Sequence, residues 1–245
     1  MTSTYERRLV FLDATVLAAP TTRSLFLFGQ LHRDAGFVVR WSLEVEAEAD
    51  RALLRRGSRL GRTVGQVLVS DLRRAHPWGA DVLVPPHREV ADSLVDTDPD
   101  DRHVLAAAAS ASARVVVTSD VDDFGRADLA RLGVSAVNPD LFLARTMTAS
   151  MYRFTLERLA ARRTLAPNTP ATIHASLGRS HPRLAGAMRA TFPGVEPSPA
   201  TDTPPAEVFR GNRCLACGRV LSDPESLASG IGPECGRTTT TRTST

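Results

Sequence analysis

The chain has 245 residues, 42% of them hydrophobic and 23% charged, which is ordinary globular usage and excludes collagen, coiled-coil and wholly disordered chains. At roughly 150 residues per domain this predicts one main domain with something smaller attached. All 30 basic residues are arginine, so a phosphate-loop lysine, a Schiff-base lysine and a kinase-type catalytic lysine are ruled out. A net charge of +3 and arginine forks suited to phosphate permit a nucleic-acid partner, although genome base composition alone also produces arginine-rich chains. No stretch reaches the roughly 18 apolar residues of a membrane span, and Met1 to Arg8 has no signal-peptide form. The expectation is a cytoplasmic protein with no membrane partner.

In chain order, short β-branched or aromatic runs alternate with amphipathic patterns, the mark of βα units on a parallel sheet. Strands are expected at Leu9–Leu12, Phe37–Arg40, Asp81–Val84, Arg114–Thr118 and Val134–Val137, and helices at Leu43–Arg56, Thr63–Ala75 and Arg102–Ser112, the last opened by Asp98-Pro99. After Asp140 the pattern is helical, with Met151–Arg163, Ala171–Leu177 and Pro182–Ala190 separated by Leu165-Ala166-Pro167 and Gly178. A proline-rich run from Pro193 to Pro205 reads as an extended linker, a small cysteine-bearing module follows it, and the threonine-rich end reads as a disordered tail. The expected organisation is residues 1–145, an α/β domain; 146–192, a helical extension; 193–208, a linker; 209–237, the cysteine module; and 238–245, the tail.

In open α/β sheets ligands bind at the carboxyl ends of the strands, and here those ends carry acids. Asp13 follows the first strand, Thr118-Ser119-Asp120 follows the fourth with Asp122 and Asp123 just beyond, Asp100 and Asp101 open the preceding helix, and Glu44, Glu46 and Glu48 lie on the helix after the second. Carboxylates gathered in one cleft repel one another unless a cation neutralises them, and Mg²⁺ or Mn²⁺ with oxygen ligands suits such a place. Each acid also has a purely structural use: Asp13 as a helix cap, Asp98 as a cap and helix start, Asp122 as a turn residue, Glu44 and Glu46 as a solvated helix face. His103 reads as a surface or partly packed histidine.

Three segments, Phe11-Leu12-Asp13-Ala14-Thr15-Val16-Leu17, Asp98-Pro99-Asp100-Asp101-Arg102-His103-Val104-Leu105-Ala106-Ala107-Ala108 and Val117-Thr118-Ser119-Asp120-Val121-Asp122-Asp123-Phe124, resemble the signature segments of PIN-domain nucleases, especially VapC-type toxins. A fourth, Trp41-Ser42-x-x-Val45-x-x-Glu48, resembles the helix that presents the second acid. The resemblance spans about residues 8–145. It implies a three-layer α/β/α sandwich around a central parallel sheet, and metal-coordinating or water-activating roles for Asp13, Glu48, Asp101 and Asp123, with Thr118 and Asp120 lining the pocket. Relatives often have Asn where this chain has Asp120, which leaves the division of labour between Asp120 and Asp123 open. The resemblance further implies hydrolytic cleavage of RNA with Mg²⁺ or Mn²⁺ held by Asp13, Asp101, Asp120 and Asp123. It also implies a small antitoxin partner and a homodimer. The helices over 151–190 resemble an extension that follows the nuclease core in some VapC-like proteins.

Cys214-x₂-Cys217 followed by Cys235 offers three soft ligands, the first pair at zinc spacing, and the stretch from Cys214 to Cys235 resembles a small zinc-binding module appended to bacterial and phage proteins. A segment this poor in large apolar groups has little core without metal. The fourth zinc ligand stays open among Asp223, Glu234, water and His181. The function expected is a metal-dependent ribonuclease, the toxin of a toxin–antitoxin pair; the alternative is a catalytically inert PIN-like protein that binds nucleic acid or protein with its zinc knuckle.

Overall fold

The computed structural model describes residues 7–59, 68–75, 82–85, 88–164, 166–200 and 207–235. The first part of the chain runs β1 (Arg8–Leu12), α1 (Ala14–Leu17), α2 (Pro20–Gly29), β2 (Phe37–Arg40), α3 (Leu43–Arg59), α4 (Val69–Arg74), α5 (Arg88–Asp92), α6 (Arg102–Ser110) and β3 (Val115–Val117). It continues through a 3₁₀ turn (Val121–Asp123), α7 (Arg126–Leu132), β4 (Ser135–Val137), α8 (Pro139–Thr146), α9 (Ala149–Ala160), α10 (Pro170–Ser180), α11 (Pro182–Ala187), β5 (Phe209–Arg210) and α12 (Pro224–Ser229). The five strands form one sheet in the order β2-β1-β3-β4-β5. The first four are parallel, with Val10 opposite both Val39 and Val115 and Val117 opposite Val137; β5 is antiparallel to β4.

Every residue of β3 and β4 is buried, as expected of parallel strands covered on both faces. From β1 the chain steps one way to β2, and from β2 it crosses back past β1 to β3. Right-handed crossovers then put α2 on one face and α3 to α6 on the other. The sheet reverses its winding between β1 and β3, and that crevice positions the site. On the α2 face Phe26, Phe37 and Phe142 pack mutually at 5.5–5.9 Å between ring centroids.

Four expected strands are present to within a residue or so. At the fifth, Leu83 makes only an isolated parallel bridge to Trp41, closed by Trp41 N–H on the Val82 carbonyl (3.0 Å) and Val84 N–H on the Trp41 carbonyl (2.9 Å); Asp81 lies outside the described residues. The helix expected over Thr63–Ala75 is α4 in its described part, and residues 63–67 lie outside it. Asp98 does not start a helix. Its Oδ1 accepts the Asp100 N–H at 2.9 Å, and α6 begins at Arg102 with Asp101 at the N-cap position. The sequence pattern does not reveal α2, because Leu25, Phe26, Leu27 and Phe28 are all buried and a helix buried all round has no polar face to set a period.

The helical extension packs against α2 and α8. Asp140 on α8 accepts the backbone N–H groups of Arg183 and Leu184 at 3.0 and 2.9 Å, which caps α11 from a neighbouring helix. In its interior Tyr152 Oη lies 2.9 Å from His174 Nδ1, both side chains being fully buried. The described part of the proline-rich run is irregular, as expected, but it is docked: Ser198 N–H donates to the Ala175 carbonyl at 2.8 Å, and a Cβ on Gly178 would overlap Ser198. The cysteine module is joined to the sheet through β5, with Phe209, Leu215, Leu221 and Ile231 buried in the common core. No helix among the described residues is long and apolar enough to cross a membrane.

Candidate active site

Asp13 leaves β1 at the reversal point, where its N–H donates to the Val117 carbonyl at 3.0 Å. Its carboxylate is 4% exposed and held by three donors. Oδ1 accepts the Ala14 N–H at 2.6 Å, while Oδ2 accepts the Thr15 and Thr118 hydroxyls at 2.8 and 2.9 Å. Both uses read from the sequence therefore coexist, since Asp13 caps α1 and lines the crevice. Thr118 ties the two strand ends together: it donates to Asp13 and accepts the Asp120 N–H at 3.0 Å.

Asp101, Asp120 and Asp123 meet Asp13 electrostatically. Burial, then the charges of Asp13, Asp123 and Asp98, push the Asp101 carboxyl up to about 7, with His103 opposing. Asp120 is raised by burial and then by Asp123 and Asp13. Burial, Asp98, Asp122 and Asp13 raise Asp123, and Arg210 works against them. Asp98, read from the sequence as a mere helix start, belongs to this neighbourhood; its N–H donates to the Asp123 carbonyl at 2.8 Å.

Two anchors hold the acid-bearing loops. The Asp128 carboxylate is 2% exposed and accepts the N–H groups of Val95, Asp96 and Thr97 at 2.9–3.1 Å. Burial acts upward on its pKa, but those N–H bonds and the Thr97 hydroxyl outweigh it and keep the carboxyl low. A Cβ on Gly125 would overlap the Asp96 backbone, so glycine is required where these loops cross. The second anchor is Arg210 of β5, whose Nη1 donates to the carbonyls of Asp122 and Phe124 at 2.8 and 3.0 Å and whose Nη2 donates to the Asp122 carboxylate at 2.9 Å. Arg210 has no local sequence signal, because it lies 88 residues from Asp122.

Glu48 reaches the cluster only through His103. Its Oε1 is 3.4 Å from His103 Nε2, and His103 Nδ1 lies 2.8 Å from the Asp100 carbonyl. Burial pulls the His103 pKa down, but Glu48, the Asp100 carbonyl and Asp101 together raise it. Glu44 is exposed as expected. Glu46, expected on a solvated face, is buried, accepting Trp41 Nε1 at 3.0 Å and Arg73 Nε and Nη2 at 2.7 and 3.1 Å. Helix α4 covers the side of α3 that the sequence pattern leaves open.

Among the described residues, the only three potential ligands whose atoms all lie within 4.8 Å of one another are Cys214, Cys217 and Cys235. The carboxylates share a neighbourhood without closing to that spacing. Burial opposes ionisation of Cys217, yet the hydrogen bond from Arg219 and those with the other two thiols bring it down to about 7. Cys235 is pushed up to about 12 by burial and by its two sulfur neighbours. Three sulfurs this close could hold a metal ion, and a set of soft ligands is compatible with zinc. Of the open fourth ligands, His181 is eliminated. It is buried elsewhere, with Nε2 3.2 Å from Thr22 Oγ1 and Nδ1 2.9 Å from Ser180 Oγ. Asp223 accepts the Ser226 N–H as the cap of α12, and Glu234 pairs with Arg219. Both border the cleft at the cysteines, as does Arg219.

Residues 204–238 match the model of DUF6011, a family of unknown function. No curated protein and no solved structure matches the chain.

Proposed function

We propose that the chain is a metal-dependent ribonuclease of the PIN type that hydrolyses RNA phosphodiesters and acts as the toxin of a toxin–antitoxin pair. The observation that carries the enzymatic reading is the meeting of Asp13, Asp101, Asp120 and Asp123, drawn from three separate segments, at the reversal point of a parallel sheet, where Asp101 is raised to about 7. The toxin role rests on the resemblance of those segments to VapC-type proteins.

Asp13, Asp101 and Asp123, with Asp120 beside them, are the residues that would hold Mg²⁺ or Mn²⁺. Such an ion supplies charge neutralisation at the phosphodiester and a water of lowered pKa. The chain's own contributions follow from its geometry. Three donors fix the Asp13 carboxylate in one orientation, so no reorganisation accompanies its use. In the metal-free protein burial and the neighbouring carboxylates raise Asp101 to about 7, which marks the crowding of negative charge that a divalent cation would relieve. His103 stands between Glu48, 3.4 Å from its Nε2, and the Asp100 carbonyl, 2.8 Å from its Nδ1, and when protonated it opposes the rise of the Asp101 carboxyl.

The test is cleavage of total RNA and of a defined single-stranded oligonucleotide by the wild type and Asp101→Asn, with Mg²⁺, with Mn²⁺ and with chelator. Cutting that requires both the metal and Asp101 supports the reading. Folded proteins equally inactive in every condition overturn it in favour of an inert binding protein, which the open spacing of the carboxylates would suit. Growth arrest on expression of the wild type but not of Asp101→Asn tests the toxin role.

A further inference from the structure

We propose that the opposite edge of the sheet is a phosphate-backbone site, in which Arg114 and Arg213 together grip a single-stranded nucleic acid; the choice of RNA as the polyanion rests on the ribonuclease reading above. Because β1 to β4 are parallel, their amino ends share one edge and the acids lie at the other. Arg114 immediately precedes β3. Arg213 arrives at the same edge because β5 runs antiparallel to β4, and its N–H donates to Ser135 Oγ at 2.9 Å.

The two guanidinium groups converge over Gly133, which ends α7 at φ +63°. A Cβ at that position would lie 2.8 Å from Arg213 Nη2 and 3.3 Å from Arg114 Nη1, so the two nitrogens are within about 6 Å of each other. No carboxylate among the described residues pairs with either. Arg114 is exposed, and Arg213 Nε is buried without a hydrogen-bond partner. Arginines elsewhere in the fold do find acids: Arg126 with Glu207, Arg131 with Asp128, Arg210 with Asp122 and Glu207. The carboxyl end of α7 attracts cations and accounts for guanidinium groups being there, but it leaves Nε without an acceptor.

Two planar forks that repel each other, Arg114 exposed and Arg213 partly exposed, match the oxygens of consecutive phosphates. The surroundings add positive charge. Arg8, at the start of β1, lies at the same end of the sheet and donates from Nη1 to the Leu215 carbonyl at 2.5 Å. The site is independent of sequence readout, since it presents only guanidinium groups to the backbone.

The experiment is fluorescence anisotropy of a labelled single-stranded RNA 12-mer with the full chain in chelator, where no cleavage occurs. The double variant Arg114→Gln, Arg213→Gln is expected to weaken binding about tenfold and to reduce the salt slope by about 1.4, the value for two phosphate contacts on a single strand. Arg33→Gln, the same charge change as Arg114→Gln alone but at an exposed position elsewhere, is expected to leave binding unchanged. Inorganic phosphate at matched ionic strength is expected not to displace the RNA. Wild-type affinity in the double variant, equal weakening by Arg33→Gln, or displacement by free phosphate would each overturn the proposal. If the double variant melts early, Arg114→Gln alone is read instead, because that side chain bonds to nothing in the described fold, and a loss of about threefold is expected. A wild type that binds the RNA in this assay but cuts none of it with Mg²⁺ or Mn²⁺ overturns the nuclease reading alone.

Discussion

Asp101 is the residue whose environment departs furthest from an ordinary carboxyl, and its titration makes a signed prediction. Its pKa in the metal-free fold, about 7, lies above the ordinary 3.8, so the native state binds this proton more tightly than the unfolded chain. The resulting stabilisation is complete below about pH 4 and is lost as pH rises through about 7. Asp101→Asn removes that dependence: at pH 8 without divalent ions the variant should melt higher than the wild type. After discounting for solvent screening of this half-buried group to about 1 kcal/mol, the gain is roughly 2–4 °C. Thermal melts of both proteins at pH 5 and pH 8 check it, and a variant no more stable than the wild type at pH 8 would show that the neighbouring acids do not crowd Asp101. In cleavage assays the same substitution should cost at least about 100-fold.

Gly125 makes the complementary case at the same scale, since it touches no substrate. Gly125→Ala must push the Asp96 backbone aside and with it the loop between Asp128 and Asp98. Overpacking of this kind costs about 1–3 kcal/mol. The variant should lose activity and stability together, with wild-type metal dependence in whatever activity remains; a fully active variant with an unchanged melting temperature would show that the loops are not fixed at this crossing. Asp13, Asp101, Asp120 and Asp123 were legible in the sequence because strand ends and short turns place them. Asp98, Asp128 and Arg210 were not, because the segments they meet, at Asp123, Asp96 and Asp122, lie about 25 to 90 residues away.

Among the elements, β5 changes the meaning of the carboxyl-terminal module. A proline-rich run ahead of a cysteine cluster reads as a tether to a separate unit, and on that reading truncation after Pro193 leaves the nuclease intact. The structure instead makes Phe209–Arg210 the edge strand of the sheet. Removing it exposes the β4 edge, uncovers apolar surface now packed against Phe209, which is 6% exposed and worth about 2 kcal/mol, and releases the Asp122–Phe124 turn. Truncation should therefore lower the melting temperature by roughly 5 °C or more and reduce cleavage. Arg210→Ala in the full chain isolates the second effect: a kcat loss of about tenfold, with wild-type sheet stability, is expected from freeing the loop that carries Asp123. A truncated protein with wild-type melting and turnover would restore the tether.

Across the whole molecule, the cysteine cluster and the acid crevice are joined by one strand, so metal at the first should be felt at the second. Purified protein is expected to carry about one zinc per chain by elemental analysis, and Cys217→Ser to carry much less. Stripping zinc should make residues 207–235 the first to be cut in limited proteolysis, since this segment has too few large apolar side chains to hold its shape alone. No zinc after expression in zinc-replete medium would refute the assignment. The fold also separates charge by edge, with acids where the parallel strands end and unpaired arginines where they begin, which no linear reading of a chain at net charge +3 reveals.

By itself the sequence determined the four parallel strands, half of the described helices, the acids at the strand ends and the cysteine spacing, because each depends on periodicity or on neighbours a few residues away. Only the tertiary structure decided that Glu46 is buried by α4, that Glu48 sits against His103, that His181 is not a metal ligand and that β5 completes the sheet. Those outcomes depend on which surfaces the packed chain brings together, and contacts between residues far apart in sequence carry no local signal.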